Sequence, residues 1–262
     1  FSTDLLNWTE PHPIFPNIDG WQVWPYLVTL PNGTLFLLYD DFEKEGDHWV
    51  TYSNNDLNWS NPIEIHVELN EGCYWNIINL QVLPDGNIYA LSSAGDRISH
   101  IHKSSNGINW ELVGIVNGWF HSMTINSKGE FIAVGVADDF KQYSYISKEL
   151  KKWIKKERIP IEIYPEIIRS NENLLYTIGP LEVSPESYPG YLGPITIITS
   201  NNGYIWSVPN ILSEKKYLFK TNDLHLIQNE EGELVISYIS GDKFNPLIKI
   251  IVIDPDNLVI KL

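Results

Sequence analysis

The chain has 262 residues, of which 43% are hydrophobic and 19% charged, a globular composition long enough for one large all-β domain with a sizeable core. Its formal net charge of −15 argues against nucleic acid and anionic membranes as partners, because both need Lys and Arg to neutralise phosphate. Cys73 is the only cysteine, which excludes an intrachain disulfide and a cysteine-based zinc site, and no apolar run approaches the roughly 18 residues of a membrane span.

In chain order, the first recognisable element is a turn, Ser2-Thr-Asp-Leu-Leu-Asn-Trp8. An apolar strand then reaches Leu30-Pro-Asn-Gly33, a second strand follows, and Trp49-Val-Thr-Tyr52 leads into Ser53-Asn-Asn-Asp-Leu-Asn-Trp59. The same order recurs: Leu83-Pro-Asp-Gly86 and then Ser104-Ser-Asn-Gly-Ile-Asn-Trp110; Asn126-Ser-Lys-Gly129 and then Ser147-Lys-Glu-Leu-Lys-Lys-Trp153. It recurs again as Ser170-Asn-Glu-Asn173 followed by Ser200-Asn-Asn-Gly-Tyr-Ile-Trp206, and Asn229-Glu-Glu-Gly232 begins a fifth set. The five Trp residues are spaced 51, 51, 43 and 53 apart. Ser and Asx side chains bond backbone N–H groups inside turns, and Gly supplies positive φ. No segment shows sustained helical periodicity.

Two interleaved repeats of this kind predict a five-bladed β-propeller, one domain over residues 1–262, with four antiparallel strands a to d in each blade. The Ser/Trp turns join c to d. Residues 1–16 hold a Ser/Trp turn and are expected to give the last blade its d strand. The rival reading assigns that strand to Ile250–Leu262.

The turns resemble the Asp-box of sialidase-like propellers in a form one residue shorter. They look still more like the Ser-x-Asp-Leu-x-x-Trp turn of five-bladed glycoside hydrolases of the invertase and arabinofuranosidase/xylosidase type, with Phe1-Ser-Thr-Asp-Leu-Leu-Asn-Trp-Thr9 the nearest copy. The resemblance implies a carbohydrate-directed propeller acting on a glycan or glycoside at the mouth of its central channel. Two departures stand beside it. Sialidases clamp a carboxylate with three arginines, whereas this chain holds only Arg97, Arg158 and Arg169, and the last two fall at the wrong places in their blades. Five-bladed hydrolases place an Asp near the start of the first inner strand, where Trp24-Pro-Tyr26 stands here.

Aligning the five a strands on their turn Gly (Asn173 in blade four) gives a register. Six residues before it stand Leu27, Leu80, Met123, Ile167 and Leu226, all apolar and expected to face the packing between sheets. Seven before it stand Tyr26, Asn79, Ser122, Glu166 and His225, all able to hydrogen-bond and expected to face the channel. Nine before it stand Trp24, Ile77, Phe120, Tyr164 and Asp223, expected nearer the mouth.

Glu166, Asp223 and His225 are the candidate catalytic residues, because a carboxylate pair on neighbouring blades can serve as general acid and base. The plain alternative is a polar lining that bonds channel water. Candidate ligand-binding residues are Trp24, Tyr26, Trp75, Asn79, Trp119, His121, Ser122 and Tyr164, with Asp40, Asp96 and Arg97 on the rim. Carboxylates accept bonds from hydroxyls and aromatic faces stack on sugar C–H surfaces. Solvated acids and Trp packed between blades are the alternative. The loop from Gly179 to Pro194, with four Pro and two Tyr, is a candidate lid. No cofactor and no metal are expected, and a monomer in an extracellular setting is favoured. A non-catalytic lectin or a protein-interaction propeller stays open beside the hydrolase reading.

Overall fold

The computed structural model describes residues 22–41, 48–54, 58–65, 67, 76–93, 97–161, 165–181, 194–212, 224–242, 245–255 and 259–261, together with residues 7, 9, 10 and 14. Among the described residues there is no helix, and the strands form five four-stranded antiparallel sheets, each a meander in sequence order. Blade one is β1 (Gln22–Thr29), β2 (Leu35–Asp41), β3 (His48–Ser53) and β4 (Ile63–Ile65). Blade two is β5 (Asn76–Val82), β6 (Ile88–Ser93), β7 (Ile98–Ser104) and β8 (Glu111–Asn117). Blade three is β9 (Trp119–Ile125), β10 (Phe131–Val136), β11 (Gln142–Ser147) and β12 (Ile154–Arg158). Blade four is β13 (Glu166–Arg169), β14 (Leu175–Pro180), β15 (Ile195–Ser200) and β16 (Asn210–Ile211). Blade five is β17 (His225–Gln228), β18 (Leu234–Asp242), β19 (Asn245–Asp254) and β20 (Val259–Lys261).

The turns between the first two strands of every blade are built alike. In each, the first turn residue accepts a bond from the N–H of the residue three on, as in Gly33 N to Leu30 O at 2.9 Å and Gly232 N to Asn229 O at 3.1 Å. That third residue lies in the left-handed region, with φ of 83° at Gly33 and 67° at Asn173. This is a type I turn closed by a left-handed residue, which suits Gly first and Asn next.

The Ser/Trp turns join the third and fourth strands of blades one to four. The Oγ atoms of Ser104 and Ser200 each accept a 2.8 Å bond from the N–H three residues on, at Gly107 and Gly203. Both glycines have positive φ. A Cβ on Gly107 would stand 2.2 Å from the Phe36 ring of blade one, and a Cβ on Gly203 would stand 2.8 Å from Ile132 of blade three. Glycine is therefore required there twice, by its backbone angle and by the approach of the neighbouring blade. Leu150 fills the same position in blade three at φ 63°. The indole N–H groups of Trp110 and Trp153 close their turns onto Gly107 O and Leu150 O at 2.9 Å.

By contacts, the chain divides into two compact units. The first, residues 1–94 and 102–112, has its core between blades one and two, where Phe36, Leu38, Val50 and Ile65 meet Ile77, Leu80, Ile88 and Ala90. In the second, residues 95–101 and 113–262, one cluster joins Ile132, Val134 and Ile146 to Ile167, Leu175, Ile198 and Trp206 across blades three and four. Another joins Ile178, Ile195 and Ile197 to Leu226, Leu234, Ile236 and Ile253 across blades four and five.

Two expectations are corrected. The fourth strand of blade five is β20, so it comes from the C-terminal end and not from residues 1–16. Val259, Ile260 and Lys261 pair antiparallel with Asp254, Ile253 and Val252, so the C-terminal segment lies back along β19. Leu27 is 58% exposed, whereas Leu80, Met123, Ile167 and Leu226 are buried. Tyr26 and Val28 face the core of the first unit, so Leu27, between them on a strand, points the other way.

Candidate functional site

The candidate residues gather on the first strands of the blades, and a β-bulge shapes three of these strands at one place. Register slips between Val23 and Tyr26 in β1, between Ile77 and Asn79 in β5, and opposite Val134 and Gly135 in β9. The extra residue in β5 is Ile78 and in β9 is His121. A bulge flips the face of everything beyond it. Ile77 and Phe120, expected near the mouth on the face of Asn79 and Ser122, are instead buried core residues, 3% and 0% exposed. In blades four and five the strands begin at Glu166 and His225, at the equivalent position.

Three of the residues seven before the turn, Tyr26, Ser122 and Glu166, reach across to the backbone of the next first strand. In the first unit, the Tyr26 hydroxyl donates to Ile77 O at 2.7 Å. In the second, β13 lies between β9 and β17. Ser122 Oγ, fully buried, accepts from Ile167 N at 3.1 Å. Glu166 Oε2 accepts from Leu226 N at 2.5 Å. These bonds satisfy inner-edge N–H and C=O groups that would otherwise lack partners.

Burial pushes the Glu166 carboxyl up to about 8, partly offset by the bond from Leu226 N. It is therefore largely protonated at neutral pH. The Leu226 N–H belongs to the peptide joining His225 to Leu226, so the carboxyl lies against the backbone of β17, where His225 is exposed. The Glu166 carbonyl accepts from Thr177 Oγ1 at 2.7 Å, which anchors the start of β13.

On β9 the His121 and Trp119 rings meet tilted at 45°, with centroids 5.5 Å apart. Burial drives His121 down to about 3, so its imidazole is neutral. Asn79 is partly buried on β5. Trp24 is on β1 and Asp40 on β2. Arg97 directly precedes β7. It has φ 59°, its Nη1 donates to Asp138 O at 3.3 Å, and its guanidinium covers the Phe140 ring at 3.9 Å. Asp223, Trp75, Tyr164, Asp96 and most of the candidate lid, residues 182–193, lie outside the described residues. Arg158 is on the outer strand β12, and Arg169 ends β13 with Nη1 bonding Ile125 O and Asn126 O at 3.2 Å.

Ser99 also ties blade to blade, and sequence reasoning missed it. Its Oγ donates to Gly118 O and accepts from Phe120 N, both at 2.9 Å. A Ser in a strand as polar as Ile-Ser-His-Ile-His-Lys-Ser carries no signal of that role. Among the described residues, no group of three or more His, Cys, Asp or Glu could hold a metal ion.

With this geometry, the chain is similar to solved propellers. No family model matches it, and no curated protein matches it in sequence. A protein from Dyadobacter fermentans aligns with TM-score 0.62 and 14% identity over 90% of this chain and 79% of its own. The family 93 α-L-arabinofuranosidase of Fusarium graminearum, in complex with arabinobiose, aligns with TM-score 0.62 and 14% identity over 88% of this chain and 77% of its own. The sialidase of Trypanosoma rangeli aligns with TM-score 0.58 and 12% identity over 84% of this chain but 43% of its own. The fold is a five-bladed β-propeller. At such identities the likeness concerns the scaffold, and function has to be argued from the site.

Proposed function

We propose that this protein is a carbohydrate-directed propeller of glycoside-hydrolase type, with Glu166 as general acid, Asp223 as its partner carboxylate and His225 orienting the bound sugar. The feature that carries the reading is the Glu166 carboxyl on a first strand, bonded to Leu226 N and withdrawn from water, with burial pushing it up to about 8. A general acid in glycoside cleavage must carry its proton at working pH. Its proton would go to the leaving glycosidic oxygen as the C–O bond breaks. The second carboxylate would activate water or attack the sugar carbon, at separations of about 6.5–9.5 Å or 5–5.5 Å respectively. Glycoside hydrolase neighbours spanning most of the chain support the substrate class, as does the resemblance of the Ser/Trp turns to a shortened Asp-box.

A second reading, a non-catalytic lectin or protein-interaction propeller, is favoured by one observation: Glu166 Oε2 is already engaged by Leu226 N, as a structural tether would be. A panel of chromogenic glycosides, run beside a glycan array, separates the two. Hydrolysis by the native protein, with Glu166→Gln and Asp223→Asn each lowering turnover by about a hundredfold or more while circular dichroism is unchanged, is the expected result. Full activity in both variants would sink the assignment. Array binding with no turnover would leave the lectin.

A further inference from the structure

A concave surface lies in the second unit, lined by no first-strand residue. Its cavity of about 560 Å³ is lined by Ile115 and Asn117 of β8, by Asp138, and by Tyr145, Trp153 and Lys155 of blade three. That volume falls within the range of roughly 300–1,000 Å³ typical of small-ligand sites.

The aromatic part of the lining is held by packing. Phe120, fully buried, meets Trp153 edge-on at 4.9 Å and 81°, and Tyr145 at 4.7 Å. Ala133 stands opposite Tyr145 in the register of β10 and β11, leaving room for the rings. The Trp153 indole N–H is committed to Leu150 O, so the ring offers its carbon surface rather than a donor. Next to Ile115 the two blades approach closely at Gly114, where a Cβ would stand 2.5 Å from Leu150 O. The Arg97 contacts with Asp138 O and the Phe140 ring hold the 137–140 turn. Asp139 is spent on the same turn, accepting from the Tyr143 hydroxyl at 2.7 Å and Lys141 N at 3.1 Å.

What remains toward the cavity is aromatic carbon surface bordered by the exposed Asp138 carboxylate, the exposed Asn117 amide and the amines of Lys151 and Lys155. Counting Asp139, whose charge stays at the rim, the lining holds two acids and two amines, and the Lys155 amine lies over the Tyr143 ring at 4.4 Å, so the lining carries no net charge and favours an uncharged ligand. Donors and acceptors around an indole suit a ligand with many hydroxyls and one apolar face.

We propose that this groove between the outer strands of blades two and three is a binding site for a neutral oligosaccharide, separate from the first-strand arc. The ligand class rests on the carbohydrate reading, and the site does not. The test is saturation-transfer NMR and calorimetry on the full chain, with arabinan, β-1,3-galactan, xylan and cellulose hexasaccharides as probes. The variants are Trp153→Ala, Asn117→Ala, Asp138→Ala and Glu166→Gln. At least one probe is expected to saturate the native protein below about 10 mM. Trp153→Ala should weaken that binding about tenfold and Asn117→Ala or Asp138→Ala about threefold, with Glu166→Gln unchanged. Should Trp153→Ala fail to fold, the two exposed substitutions decide. No saturable binding, or binding indifferent to every groove variant, overturns the proposal. Binding lost only in Glu166→Gln also overturns it and moves the ligand to the first strands. Groove-dependent binding with no turnover of any glycoside keeps the groove and removes the hydrolase.

Discussion

The Ser/Trp turns and the first strands both use side chains to satisfy backbone groups, and they differ in how far they repeat. In the turns the same residue does the same thing: Ser104 and Ser200 each take the N–H three residues on, at 2.8 Å. In the first strands one position is filled by Tyr26, Ser122 and Glu166, of different reach and chemistry, each bonding the next strand's backbone. A turn bond spans three residues, so local sequence must supply it. A bond between blades can be made by any side chain that reaches, which leaves that position open to divergence and to function.

The largest expected effect breaks the comparison at Glu166. Its folded-state value of about 8 lies above the ordinary 4.5, so between those values the folded protein holds a proton that the unfolded chain has lost. Stability from this group is whole below about pH 4.5, falls as pH rises toward about 8, and is level beyond it. Urea titrations of the native protein between pH 5 and 9 should record that fall, on the order of a few kcal/mol. Glu166→Gln cannot ionise and should flatten the profile. An unchanged slope would mean that the carboxyl is hydrated.

Next comes Gly107→Ala. The new methyl meets Phe36 and sits at φ 74°, and a loss of about 2–3 kcal/mol in chemical denaturation is expected. Leu150 tolerates a similar angle in blade three, so a small loss would show that the Phe36 contact relaxes and only the angle matters. The smallest effect sharpens the comparison directly. Ser122→Ala and Ser104→Ala each leave a buried N–H unbonded, at Ile167 and at Gly107, and should each cost about 1–2 kcal/mol. Equal losses would make turn and tether energetically alike. A much larger loss at Ser122 would show that the contact between blades contributes more than the bond inside the turn.

Much of the scaffold was legible because it is built from local chemistry. A left-handed residue at Gly33, Gly86, Gly129, Asn173 and Gly232, and a Ser three residues before Gly107 or Gly203, announce turns without reference to the rest of the chain. The candidate site was legible only as a position. Aligning the first strands found Tyr26, Ser122 and Glu166. The expected direction of Ile77 and Phe120 failed because one inserted residue reverses a face, and periodicity has no sign for an insertion that other strands share. Trp153 was seen as a turn residue, and its place in the lining of a groove was not.

The sequence by itself determined the number of blades, their strand order and their turns, since those depend on backbone angles and bonds spanning a few residues. The tertiary structure decided which strand completes blade five, which faces the bulges reverse, and what each first-strand side chain bonds. The physical reason is distance along the chain: the bonds of Ser122 and Glu166 join residues 45 and 60 apart. Only the packing of one sheet on the next brings such partners together, and only that packing withdraws the Glu166 carboxyl from water.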